Sequence, residues 1–359
     1  MTIDLKPRKL GADRLRGIKP KSVDLSEAKL VESGPLQPGR NLLLLVRPAV
    51  EGLDLSAWLG DHRELVERWL LEHGGILFRG FGIRTVPLFE RFTHTLSADL
   101  LEYKERSTPR TELAGRIYTS TEYPAHQSIT FHNEFSYALT WPMKITFCCI
   151  TASEQGGETP LADSAEVYRL LDPALREPFE KKGVMYVRNY GGGIDLSWQD
   201  AFQTTDRTNV EEYCRQAPMD FEWRDGDRLR TRSVRPAVAR HAVSGENLWF
   251  NQAHLFHVSN LDPSMRQAML SAFAEEDLPR NTLYGDGSRI DPAALDAVRA
   301  AYAEAEIVFP WEEGDVALLD NMRVAHGRRP YVGERKIVVG MMQPYGEQAR
   351  DGAASGRTT

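Results

Sequence analysis

Cysteine is scarce in this 359-residue chain: Cys148, Cys149 and Cys214, two of them adjacent in an apolar run. An odd count in that arrangement does not make a disulfide framework, and it fits buried, reduced thiols of a cytoplasmic protein. Long apolar runs are missing too. None approaches the roughly 18 residues that span a bilayer, so no membrane segment is expected. There is no excess of positive charge either, the formal net charge being −7. That argues against nucleic acid as the main partner, because phosphate binding needs a concentrated basic face. The basic N-terminal stretch with Lys6, Arg8, Lys9, Arg14, Arg16, Lys19 and Lys21 has no hydrophobic segment behind it, so no secretory signal is expected. Internal repeats and low-complexity linkers are also lacking. The expected organisation is a loosely ordered basic arm over 1–39, a single domain over 40–346 and a flexible tail over 347–359.

What is present is an ordinary globular composition, 42% hydrophobic and 26% charged. Asp61 with Glu64 forms a capping-box pattern before Leu65, Val66, Trp69 and Leu70, and Gly74 follows as a stop. Asp262-Pro263 and Asp291-Pro292 read as caps opening helices over 264–276 and 293–305, and Asp163 with Glu166 opens another through Leu171. Short β-type runs at 76–78, 129–135, 144–150, 184–188, 248–250, 316–319 and 336–342 separate them. Many short strands with helices in the connections suggest an antiparallel double sheet or jelly roll.

Most of the nine histidines need no function. His132 and Glu134 stand apart. On a strand over 129–135, residues two apart share a face, so this imidazole and carboxylate project together while Phe131 and Phe135 face apolar packing. Taken alone, the pair also suits the exposed face of an edge strand. His326 changes the balance, because it lies between two late strands and can reach back across a rolled β sandwich. Two histidines and one carboxylate are a facial triad that leaves positions open for a bidentate keto acid and O₂ on Fe(II). The same donors also suit zinc, in a hydrolase or isomerase, and a binding module that has lost catalysis is a third possibility. A keto acid needs an anchor for its far carboxylate. Arg335, just after His326 in the chain, can pair with it through a charged fork, with Lys336 as the alternative if the register slips by one.

At these residues the chain resembles the taurine dioxygenase/2,4-dichlorophenoxyacetate dioxygenase (TauD/TfdA-like) family of Fe(II)- and 2-oxoglutarate-dependent oxygenases. The branch it is most similar to contains syringomycin-type amino-acid hydroxylases of peptide natural-product pathways. The resemblance runs from about Gly74 to Met342. It rests on Gly75-Ile-Leu-Phe-Arg-Gly80, Tyr118-Thr-Ser-Thr-Glu-Tyr-Pro124, His132-Asn-Glu134-Phe-Ser-Tyr137, Gly156-Gly-Glu-Thr-Pro160 and the block Asp320-Asn321 through His326 to Arg335. It implies a double-stranded β-helix (jelly roll) with flanking and inserted helices. It also implies His132, Glu134 and His326 as iron ligands, and Thr159 and Arg335 as contacts to 2-oxoglutarate. Many relatives carry a second arginine four residues after the keto-acid arginine; here that position is Val339.

The implied activity is hydroxylation of an unactivated C–H bond of an amino acid or derivative, free or tethered to a carrier protein, with release of succinate and CO₂. Glu134 disfavours a halogenase, which frees a coordination position by lacking the carboxylate. Gln127 lies five residues before the first ligand. Asn251 and Gln252 form a second amide-bearing strand end that resembles the same branch. Amides donate and accept, so Gln127 and Asn251 are expected to hold a zwitterionic substrate without fixed charge. A homo-oligomer is compatible with all of this.

Overall fold

The computed structural model describes residues 30–346, apart from 102–104, 109 and 121–122. The basic stretch 1–29 and the tail 347–359 therefore lie outside the described residues. The protein is mainly β, with helices in the connections. The largest sheet has eight strands, in the order Val31–Pro35, Leu44–Pro48, Gly75–Phe78, Val316–Asp320, Thr140–Thr151, Lys336–Gly346, Ile117–Thr119 and Glu112–Ala114. Its pairings are antiparallel except that between Leu44–Pro48 and Gly75–Phe78. A smaller sheet orders Glu306–Ile307, Leu161–Asp163, Val324–Arg328 and Ile129–His132. A third sheet is built from Met219–Arg224, Arg228–Arg235, Val184–Tyr190 and Arg280–Tyr284.

Side-chain alternation explains why the central strands read as unbroken apolar runs. Ile145, Phe147, Cys149, Ala317, Leu319, Ile337 and Val339 join one buried cluster with Leu161 and Ala325 of the smaller sheet. Their neighbours Cys148, Val316, Leu318 and Val338 join a second cluster with Trp58, Leu70 and Phe92 from helices Leu55–Asp61, Arg63–His73 and Val86–Leu96. The large sheet is thus buried on both faces, so no polar residue is needed at alternate positions. All three cysteines are buried and free.

Several expected boundaries shift. Val31–Pro35 pairs with Leu44–Pro48 as an edge strand, so sheet structure begins inside the stretch assigned to the arm. Val31 is buried in the second cluster, which supplies the apolar contact that orders it. Helix Arg63–His73 ends at Gly74 in the left-handed region (φ 68°), as expected, but its cap position is His62 and Asp61 closes the preceding helix. The Asp61–Glu64 capping box does not form. The aspartates at 163, 262 and 291 do cap, each accepting from backbone N–H groups of the first turn. No helix among the described residues is long and apolar enough to cross a membrane.

Candidate metal centre and co-substrate cavity

The strand expected over 129–135 stops at His132. Glu134 lies in the turn that follows, and Phe135 takes a positive φ of 59° that a continuing strand does not allow. His132 and Glu134 therefore converge through a turn rather than through strand alternation. Asn321 holds that turn: its Oδ1 accepts from Glu134 N at 2.8 Å, and its Nδ2 donates to the carbonyls of Glu134 and Pro142 at 2.9 and 2.8 Å. Asn133 donates to the carbonyl of Asn321 at 2.8 Å, and Gln252 Nε2 donates to the carbonyl of Asn133 at 2.8 Å. A chain of buried amides thus locks the segment carrying the carboxylate to the loop that leads into His326.

His326 stands directly opposite His132 in the pairing of Val324–Arg328 with Ile129–His132. The two ring centroids are 4.4 Å apart, and each Nε2 lies 3.9 Å from Glu134 Oε2. One ligand atom from each of the three residues falls within 4.8 Å of the others. His132 Nδ1 sits 2.9 Å from the carbonyl of Thr130, which fixes the proton on Nδ1 and turns the Nε2 lone pair toward the carboxylate. His326 Nδ1 has no hydrogen-bond partner among the described residues; that ring is packed edge-on by Phe147 at 4.9 Å. Burial lowers the pKa of both imidazoles, that of His326 well below the ordinary range; at His132 burial outweighs the Glu134 carboxylate, which acts in the opposite direction. Both are neutral and able to ligate at physiological pH. Two imidazoles and one carboxylate clustered in this way fit a divalent transition-metal ion such as Fe(II).

Thr159 and Arg335 line the same cavity as the two histidines. Thr159 Oγ1 accepts from Trp311 Nε1 at 3.1 Å, which leaves the hydroxyl proton to donate elsewhere. Arg335 Nε donates to the carbonyl of Gly157 at 2.9 Å, and its terminal nitrogens meet no acceptor among the described residues. Burial and the Arg328 charge lower its pKa to about 10, which still leaves it cationic. A cation held this way suits the distal carboxylate of a keto acid. Gly157 makes the approach possible: its φ is +74°, and a Cβ there would lie 3.0 Å from Arg335 Cδ and Nε. Lys336 is exposed and does not line this cavity. Val339 is fully buried in the core shared by the two sheets.

The two amides expected at the substrate do not line this cavity. The Gln127 side chain is exposed, with its amide 3.4 Å from His126, and it does not line the cavity. Asn251 is fully buried, and its amide is spent on the carbonyl of Ala237 and the N–H of Ala253. Strand-end position alone could not separate a cavity-facing amide from one that satisfies backbone. Arg110 was not legible from the sequence. It is buried, lines the cavity, and donates from Nη2 to Glu134 Oε2 at 2.8 Å. It lies 24 residues before its partner, and no periodicity marks it out.

A family model described as "Taurine catabolism dioxygenase TauD, TfdA family" matches residues 33–342. The chain belongs to this family. It is therefore a dioxygenase, and Fe(II) and 2-oxoglutarate are the metal and co-substrate that the triad and the adjoining cavity fit. Among curated relatives, it is 41% identical over 310 residues to the dapdiamide synthesis protein DdaC of Enterobacter agglomerans, covering 86% of this chain and 94% of that one. It is 31% identical over 292 residues to a clavaminate synthase-like protein of Arabidopsis thaliana, covering 78% and 84%. The PvcB protein of Pseudomonas aeruginosa shares the fold of this TauD/TfdA-family chain. Its TM-score is 0.54 at 15% identity, over 88% of this chain and 91% of the other.

Proposed function

We propose that this dioxygenase hydroxylates an unactivated C–H bond of an amino acid or amino-acid derivative in natural-product biosynthesis, releasing succinate and CO₂. The reading is supported above all by the convergence of His132, Glu134 and His326 at a cavity that also contains Thr159 and Arg335, an arginine that makes no ion pair among the described residues. A zinc hydrolase would give that arginine nothing to bind. The 41% identity to a dapdiamide synthesis protein supports natural-product chemistry on an amino-acid scaffold. The large and small sheets, packed around one shared cluster, are consistent with a double-stranded β-helix.

In this scheme the iron and its keto acid supply the oxidising chemistry when bound. The chain supplies the rest. His132, Glu134 and His326 hold one face of the ion. Arg335 and the Thr159 hydroxyl hold the distal carboxylate of 2-oxoglutarate. Phe147, Ile129 and Ile337 keep that end of the cavity apolar, which strengthens each charged contact by excluding water. The substrate is a small molecule, taken either free or on a carrier protein, and the working compartment is the cytoplasm. Oxygen uptake and succinate release, followed together across amino acids and aminoacyl thioesters with Fe(II) present, test the scheme. We expect one succinate per oxidised substrate. Turnover that continues without 2-oxoglutarate, or that zinc supports better than iron, would overturn it.

A further inference from the structure

A buried imidazole–carboxylate pair stands at the root of two of the three ligands without being a ligand itself. Val238–Arg240 and Asn247–Trp249 form a two-stranded hairpin outside the larger sheets. His241 opens its tip, and the tip closes around the ring: the N–H groups of Ser244 and Val243 donate to Nδ1 from 3.0 and 3.3 Å. Nδ1 is therefore the acceptor and the ring proton sits on Nε2, which donates to Asp320 Oδ2 at 2.8 Å. Both side chains are buried.

Asp320 ends the strand Val316–Asp320 and divides its two oxygens between two tasks. Oδ1 accepts from the N–H groups of Met322 and Arg323 at 3.0 and 3.1 Å, which closes the turn into Val324–Arg328, the strand of His326. Oδ2 takes His241. In the same turn lies Asn321, whose three hydrogen bonds hold the segment of Glu134. One turn thus feeds two ligands. A carboxylate bonded through one oxygen alone can still swing about that contact. The second bond, from a ring whose tautomer the backbone has fixed, pins it. The hairpin reaches this region twice, because Gln252, just past its second strand, donates to the carbonyl of Asn133, between His132 and Glu134.

Resting on the triad as the ligand set, we infer that His241 is a positioning residue for the metal centre. Through Asp320 and Asn321 it sets where the Glu134 carboxylate and the His326 ring stand. A His–Asp pair that served the fold alone would change stability and leave the surroundings of the ion as they are.

The test titrates the full-length protein with Co(II), which reports affinity and, through its visible absorption, ligand geometry. His241→Phe should weaken Co(II) binding about tenfold and shift the absorption, as loss of an outer-sphere partner does. His241→Gln, whose amide can still donate to Asp320, should recover most of the affinity. Asp320→Asn keeps an oxygen for the turn but cannot also accept from His241, so it should match His241→Phe. Val210→Ala, in the separate cluster of the third sheet, is the control for lost stability, and its Co(II) titration should be that of wild type. Unchanged affinity and absorption in His241→Phe, a loss that His241→Gln does not reduce, or the same loss in Val210→Ala would each overturn the assignment. If His241→Phe does not fold, Asp320→Asn decides, and wild-type Co(II) affinity in it is the adverse result. Glu134→Ala keeps two failures apart. Wild-type affinity there sinks the triad itself, whereas weakened binding there beside an unchanged His241→Phe sinks only the role of His241.

Discussion

The metal end and the co-substrate end of the cavity differ in how far the protein satisfies its own polar groups. At the metal end, Glu134 takes Arg110, His132 Nδ1 is tied to the Thr130 carbonyl, and the intervening backbone is bonded to Asn321, Asn133 and Gln252. At the co-substrate end, Arg335 has one backbone acceptor and Thr159 accepts one hydrogen bond from Trp311. The first end is preorganised for a small ion whose geometry must be exact to tenths of an ångström. The second keeps its donors for a larger ligand that brings its own acceptors. Damage to the first end should therefore appear in metal affinity, and damage to the second in the 2-oxoglutarate requirement.

The largest effects are expected at the triad. His132→Ala, Glu134→Ala or His326→Ala should reduce succinate release by more than the roughly 10–100-fold that follows loss of an outer-sphere partner. Fe(II) or Co(II) titration should show the loss directly. Near-native turnover in any of the three would mean that the ion sits elsewhere. Arg335→Ala sharpens the other side of the comparison. It should raise the 2-oxoglutarate concentration needed for half-maximal rate about tenfold to a hundredfold, with metal affinity unchanged. A parallel loss of metal affinity would mean that the two ends are not independent.

How much of this was legible in the sequence depended on the kind of constraint. His132, Glu134 and His326 were readable because donor type and order along the chain are themselves chemical signals, and the family resemblance added Thr159. The route by which Glu134 joins them was misread as strand alternation. The turn that carries it is imposed by Asn321, 187 residues away, which no local pattern reveals. Strand positions in the large sheet were clear because burial on both faces leaves long apolar runs. Arg110 and the fate of Asn251 were not clear, because a buried arginine and a backbone-capping amide look like any others until the packing around them is known.

Asn321 offers the next test, with an effect expected below that of the ligands. Asn321→Ala removes three hydrogen bonds that hold the Glu134 turn and the strand beside it. Metal affinity should fall by about 10–100-fold, as for other outer-sphere partners, and the buried carbonyls left behind should lower the melting temperature. An unchanged metal affinity would show that packing alone fixes Glu134. Gly157→Ala should act at the opposite end and more weakly. The new Cβ would press on the Arg335 side chain in a backbone conformation that disfavours alanine, at a stability cost of about 1 kcal/mol. The 2-oxoglutarate requirement should rise while metal titration stays as in wild type.

The smallest effect near neutrality concerns pH, and it separates the fold behind the metal end from the ligands themselves. His254 donates from Nε2 to the carbonyl of Phe131 at 2.9 Å, and burial lowers its pKa to about 3. In the same region His257 is lowered to about 4, by burial and then by Arg299 and Arg266. Arg299 links the two, donating to the His254 carbonyl and to Ser259, whose hydroxyl lies 2.8 Å from His257 Nδ1. An unfolded chain protonates these imidazoles at their ordinary value near 6.5, whereas the folded chain resists until well below it. The unfolded state therefore binds more protons as pH falls. The stability these groups contribute is fully present above about pH 6.5 and is lost as pH drops toward 4 and then 3. Each fully titrating group contributes a slope of about 1.4 kcal/mol per pH unit. Chemical denaturation of the metal-free protein between pH 7.5 and 5 should show this decline, and His254→Gln should flatten it by about one group's share. A pH dependence that His254→Gln leaves unchanged would place the acid sensitivity in His257 or the ligand imidazoles instead.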